Sequence, residues 1–360
     1  MTAQQKSAVK VVFGAMMFGK EGAPQVRVHD PATASAILDV FQKHGHNEID
    51  TARAYGEGSS EELLGNMNWQ ARGLVMDTKF YPTAHQINAP GRNDESMHHT
   101  PEGMREHLGR SLKALKADKV DLWYLHAPDR SVPYEVTFKA VNDLYEEGHF
   151  KRLGVSNYMA WEVAQISELC RSNGWKQIDV YQGRYNALHR SVEPELFRCL
   201  RKYGIAFYNY HPLAGGLLTD RYHREDKVSA FHDLLKGLAT VYELTDEDIE
   251  KGSRYDPNKW QGKMYRNLYW NDAFFGALDI LRPVAKKHGL TEAECALRWM
   301  THHSLLKREH GDSIIIGASS VKQIEQNMLD LEKGPLPEEV VAALDQGEQG
   351  CKAITIKYWL

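Results

Sequence analysis

The chain has 360 residues, 44 basic and 48 acidic, for a formal net charge of −4. Both signs are interspersed rather than blocked, so there is no basic field for nucleic acid, and the expected partner is a small molecule. No basic-then-apolar leader opens Met1 to Val12, no apolar run is long enough to cross a bilayer, and the four cysteines are too scattered for a zinc pair or a disulfide framework, which points to the cytoplasm.

From the N-terminus onward, short β-branched or aromatic runs alternate with helical ones, the pattern of βα units on a parallel sheet. Strands are predicted at Val11–Met16, His46–Asp50, Leu74–Lys79, Val120–His126, Arg152–Ser156, Ile178–Gln182, Ile205–Tyr210 and Ser313–Gly317. Helices are predicted between them at Thr33–His44, Ser60–Asn68, Pro101–Lys116, Tyr134–Glu147, Ala160–Asn173, Glu193–Tyr203 and Thr291–His303, most with apolar positions three or four apart. Eight such strands close an α/β (β/α)8 TIM barrel of a single domain. An open doubly wound sheet is the competitor, but its G-x-G-x-x-G turn is missing after the first strand. Two segments break the alternation: a long charged loop over 218–271 after the seventh strand, and a tail over 331–360 ending in Tyr358-Trp359-Leu360.

In such barrels functional groups sit at the C-terminal strand ends and just beyond them. Asp50 ends the second strand, Tyr55 lies just past it, Lys79 ends the third and His126 the fourth. Singly, each has an ordinary structural reading: Asp50 as a cap, Lys79 as a surface cation, His126 as a core imidazole. Together they form a proton-donating site. A lysine cation favours the tyrosinate and so lowers a phenol's pKa from about 10, the carboxylate holds the lysine charged, and the imidazole donates to a carbonyl oxygen. The 17 histidines give no metal centre, because pairs such as His98-His99 and His302-His303 do not meet carboxylates at strand ends.

In the order and context of Asp50, Tyr55, Lys79 and His126 the sequence resembles the aldo-keto reductases. Over essentially its whole length it is similar to their aflatoxin aldehyde reductase branch, through His-Ala-Pro-Asp (126–129), Leu-Gly-Val-Ser-Asn-Tyr (153–158), Pro-Leu-Ala-Gly-Gly-Leu-Leu-Thr (212–219), Tyr-Arg-Asn (265–267) and Ser-Ser-Val-Lys-Gln-Ile-Glu-Gln-Asn (319–327). The resemblance implies a barrel that binds NADPH, reduces aldehydes or ketones to alcohols and forms a homodimer. It assigns Ser156, Asn157 and Gln182 to the nicotinamide carboxamide and Tyr210 to stacking on the ring. Pro212, Leu213, Gly215, Gly216 and Leu217, with Gly317 and Ser319 before a helix start, approach the phosphates, while Gln323, Gln326 and Asn327 grip the adenosine end. Lys322 is the cation available for a 2′-phosphate, and His126, Met17, Arg266 and Tyr358 are the expected substrate contacts. A nucleotide-binding redox sensor, like the potassium-channel β subunits, shares the same four residues and stays open as the second reading. Leu360 stands where mammalian members of the branch carry arginine, and Thr83 where the branch usually has tryptophan. A preference for uncharged aromatic carbonyls over acidic semialdehydes follows, unless Arg254 or Arg266 restores an anion site.

Overall fold

The computed structural model describes residues 6–82, 98–224 and 253–360. Eight strands, β1 (Lys10–Gly14), β2 (Glu48–Asp50), β3 (Val75–Phe80), β4 (Val120–Leu125), β5 (Phe150–Ser156), β6 (Val180–Arg184), β7 (Ala206–Tyr210) and β8 (Ser313–Ile316), form one closed barrel. Every pairing is parallel, and β8 returns to β1 with Ile315 beside Val12. Helices α1 (Pro31–Lys43), α2 (Ser59–Asn66), α3 (Pro101–Leu115), α4 (Tyr134–Glu146), α5 (Ala160–Asn173) and α6 (Leu196–Tyr203) alternate with the strands. After β7 come α7 (Trp260–Tyr269), α8 (Asp272–Lys287) and α9 (Glu292–His302), and after β8 come α10 (Val321–Leu331) and α11 (Glu338–Cys351). Among the described residues no helix is long and apolar enough to cross a membrane.

Local chemistry starts the helices where it should. Asp30 accepts from the Thr33 amide at 2.9 Å ahead of Pro31, and Thr100 caps α3 in the same way ahead of Pro101. The apolar stripes then turn inward, Ile37, Leu38 and Phe41 on α1 and Met104, Leu108 and Leu115 on α3, against the outward faces of the strands. Alternation along each strand leaves a second, inner core of Val12, Leu122, Tyr124, Val180, Tyr208 and Ile315. Below it, at the N-terminal floor, Glu48 meets Lys10, accepts from Arg152 at 2.8 Å and from the Tyr208 hydroxyl at 3.0 Å, while Arg152 also reaches Asp121 at 2.6 Å.

The strand ends differ from the expected ones in ways that position the site. β1 stops at Gly14 and a 3-10 turn over Ala15–Met17 takes Met17 aside. β4 stops at Leu125, so His126 stands on the loop, its amide donating to the Phe80 carbonyl at 2.7 Å. β6 runs on past Gln182 to Arg184, lifting a guanidinium to the rim. α11 packs against α8, and the last residues return to the mouth, where the Leu360 amide donates to the Asn157 carbonyl at 3.1 Å. Thr83 and the acidic run at 246–248 lie outside the described residues.

Candidate active site

The loop after β2 is built around three left-handed residues, Gly56, Glu57 and Gly58, with Ser59 donating to the Gly56 carbonyl at 2.6 Å. It turns Tyr55 back over the barrel, and the Tyr55 amide donates to Ala52. Asp50 and Lys79 face inward from neighbouring strands. Lys79 Nζ donates to Asp50 Oδ1 at 2.5 Å, to the Thr51 carbonyl at 2.7 Å and to the Tyr55 hydroxyl at 3.4 Å. Gln182 Nε2 holds the other Asp50 oxygen at 2.8 Å. The His126 ring meets Tyr55 edge-on at 5.8 Å and Tyr81 at 5.1 Å. The four residues expected to act together are therefore brought together.

Charge and burial compete here. Burial lifts the Asp50 carboxyl, opposed by Lys79 and Gln182. The Lys79 ammonium would lose its proton to burial alone, but Asp50 and Tyr55 carry it above its ordinary value, so the pair is ionic. For Tyr55 the balance goes the other way from the expectation. Lys79 does pull the phenol down, but burial is the larger effect and the group ends above 10. The phenol thus stays protonated through the neutral range.

Three of the four residues assigned to a nicotinamide ring form one linked set, while Gln182 bonds Asp50. Asn157, in a left-handed conformation at φ 64, donates through Nδ2 to the His126 carbonyl at 2.9 Å and to Ser156 Oγ at 3.0 Å. Its Oδ1 accepts from the Tyr210 hydroxyl at 2.8 Å. The segment Pro212–Leu217 carries a 3-10 turn over Ala214–Gly216, in which Gly216 has φ 108 and nothing nearer than 4.0 Å where a Cβ would stand. That is an open cradle for a bulky anion, and it fits a pyrophosphate. At Gly317 a Cβ would lie 3.1 Å from the Gly14 carbonyl and 3.3 Å from Met17 Cε, so backbone passes closely there. Gln323 Oε1 accepts from the Ser319 amide at 2.8 Å and hydroxyl at 2.9 Å, Gln326 donates to Asp330 at 3.0 Å, and Asn327 is buried beside them on α10. The donors at this helix start suit a dinucleotide's phosphates.

The three other expected substrate contacts each pack against neighbours of their own. Met17 borders Gly317. Arg266 donates through Nε to the Tyr255 carbonyl at 2.7 Å and stacks over Trp270 at 4.1 Å. Tyr358 is buried, its hydroxyl accepting from the Ala160 amide at 3.0 Å and donating to Glu195 at 2.9 Å. Residues not anticipated also line the mouth. His211 contacts the Tyr265 hydroxyl at 2.7 Å and the Tyr269 hydroxyl at 3.2 Å, and Arg184 sits 5.9 Å from the Tyr210 ring. Arg184 could have been read from its place two residues after Gln182, on the same inward face. Among the described residues no three His, Cys, Asp or Glu side chains are grouped to hold a metal ion.

An eight-stranded parallel barrel with an acid, an ammonium, a phenol and an imidazole at its mouth, beside an open glycine turn that fits a phosphate, is the plan of a barrel oxidoreductase. The aldo/keto reductase family model matches residues 10–348. An aldo-keto reductase of Pseudocercospora fijiensis is 50% identical over 323 residues, covering 90% of this chain and all of that one. Aldo-keto reductase pigE of Monascus ruber is 45% identical over 98% of each chain, and human aflatoxin B1 aldehyde reductase member 4 is 40% identical over 93% of this chain and 92% of its own. The chain belongs to the aldo/keto reductase family, with the aflatoxin aldehyde reductases among its relatives, and membership supports an oxidoreductase that acts on carbonyl compounds.

Proposed function

We propose that the chain reduces aldehydes or ketones to alcohols with NADPH, and that Tyr55 is the proton donor. The observation that carries this reading is Lys79 Nζ standing between Asp50 Oδ1 at 2.5 Å and the Tyr55 hydroxyl at 3.4 Å. Ser156, Asn157, Gln182 and Tyr210 would hold the nicotinamide, and Gly215–Leu217 and Gly317–Ser319 the phosphates, of a cofactor that when bound would supply the hydride. Tyr55, kept protonated by burial, gives its proton to the carbonyl oxygen. The phenolate left behind faces the Lys79 ammonium, and Asp50 keeps that ammonium charged. His126, edge-on to Tyr55, presents its ring to the same oxygen, where it orients the substrate and stabilises developing charge. The human relative's name, aflatoxin B1 aldehyde reductase, supports carbonyl chemistry of this kind.

Tyr55→Phe tests the assignment. Oxidation of NADPH with 4-nitrobenzaldehyde should slow by about 10²–10⁴-fold in kcat, while the NADPH Kd from fluorescence quenching stays close to that of the wild type. Retention of most of the turnover would remove Tyr55 as proton donor.

A further inference from the structure

Arg184 closes β6 at the rim, on the inward face it shares with Gln182 and directly across from Tyr210 on β7. Its guanidinium lies 5.9 Å from the Tyr210 ring centroid. Its Nε is buried with no hydrogen-bond partner. Among the described residues, the groups whose charge acts most on it are the phenols of Tyr210, Tyr269 and Tyr265, none of them a carboxylate. The histidines nearby do not answer its charge either. Burial first, and then Arg184, push His211 well below 6.5 and His189 down to about 3, so both are neutral. The carboxylate of the catalytic group, Asp50, is already neutralised by Lys79 at 2.5 Å. Among the described residues this always-charged guanidinium has no counter-ion, which is unusual inside a fold and calls for a reason.

We infer that Arg184 biases the enzyme toward reduction by disfavouring the oxidised cofactor: its fixed charge beside Tyr210 repels the cationic nicotinamide of NADP+ and leaves the neutral ring of NADPH unopposed. This rests on the cofactor reading above. The phosphates and adenosine are common to both forms, so their contacts cancel in the comparison and only the ring charge is sensed. Two unit charges about 10 Å apart at an effective dielectric of about 20 change an equilibrium roughly tenfold, and the partial exposure of the guanidinium trims this to about three- to tenfold. In the reaction itself one hydride passes to the carbonyl carbon and one proton to its oxygen. Arg184 takes part in neither transfer and acts only on the relative binding of the two cofactor states.

The test is direct binding with the full chain. NADPH and NADP+ are titrated separately against wild type, Arg184→Met, Arg184→Gln and Arg184→Lys, following quenching of tryptophan fluorescence. Wild type should bind NADPH more tightly than NADP+. Arg184→Met should shrink the Kd ratio by about three- to tenfold, chiefly by tightening NADP+, and Arg184→Lys should keep the wild-type ratio. Arg184→Gln makes the same test with a polar, uncharged side chain should the methionine variant not fold. Equal wild-type affinities, a ratio in either neutral variant within about twofold of wild type, or a parallel weakening of both forms overturns the inference. Failure of wild type to bind either form would instead remove the cofactor reading beneath it, a result distinct from tight binding of both with an unmoved ratio.

Discussion

Replacing Lys79 by methionine isolates what the ammonium does for the fold as well as for the chemistry. The side chain is fully buried and satisfies Asp50, the Thr51 carbonyl and the Tyr55 hydroxyl at once. Lys79→Met therefore leaves a carboxylate enclosed with Gln182 as its remaining side-chain donor, and breaking such a pair from one side costs about 3–5 kcal/mol. Asp50 can escape that cost by taking a proton, which makes the deficit depend on pH. Burial already lifts Asp50 in the wild type, and without Lys79 to oppose it the folded-state pKa in the variant rises further above its unfolded value of about 3.9. The sign follows: the variant's stability is fully present below that unfolded value and is lost as pH rises through the folded one, at about 1.4 kcal/mol per pH unit. Urea unfolding of wild type and Lys79→Met should diverge once pH passes the wild-type folded value of Asp50 and level off when about 3–5 kcal/mol is lost. The double variant Asp50→Asn/Lys79→Met has no charge to enclose and should recover most of the deficit at pH 8 but little at pH 5. A deficit that is the same at both pH values, or a double variant no more stable than the single one at pH 8, would show that Asp50 and Lys79 are not the ion pair described.

Two further outcomes follow from groups outside the tetrad. His107 on α3 stacks on Phe80 at 4.2 Å and is pushed down to about 3 by burial, with Arg53 and Arg110 adding to it, so its stability is present above about pH 6.5 and is lost as pH falls toward 3. Between pH 7 and 5, His107→Phe should lose about 2 kcal/mol less than wild type in urea titrations, and parallel losses would refute a buried neutral imidazole. Lys322, exposed on the first turn of α10, should serve the 2′-phosphate; Lys322→Glu should raise the NADPH Kd by about tenfold and the NADH Kd far less, whereas equal losses would take that role away.

The barrel was legible because parallel strands buried on both faces read as short apolar runs at regular intervals, and the tetrad because each member ends or follows one of them. Arg184 was missed for a physical reason. Gly183 reads as a strand stop, but a Cβ there would fall 2.8 Å from the Phe207 ring and 2.9 Å from the Tyr181 ring, so the glycine is a packing requirement inside a strand that continues. The direction of the Tyr55 shift was equally out of reach, since a neighbouring cation can be inferred from strand positions while depth of burial cannot. Tyr358 shows the same limit. An aromatic near the chain end gives no sign that its hydroxyl is taken by Ala160 and Glu195 on the α5 and α6 side. Likewise α8 and α11, which cover each other, carry signals that only their mutual packing makes decisive.

The ionic floor of the barrel bears on how the chain comes together in time. Glu48, which burial alone would lift, is held down to about 2 by Arg152 and Lys10. Those partners lie 104 and 38 residues away along the chain, and the Tyr208 hydroxyl that completes the cluster lies 160 away. Contacts this distant form late, after the loops between them have closed. During synthesis, a chain that has not yet extended through β7 holds a carboxylate at its future centre without its full set of donors. Its enclosure then stays unfavourable until the seventh strand arrives, so the floor charges discourage early, partial closure and tie the finished barrel to a nearly complete chain.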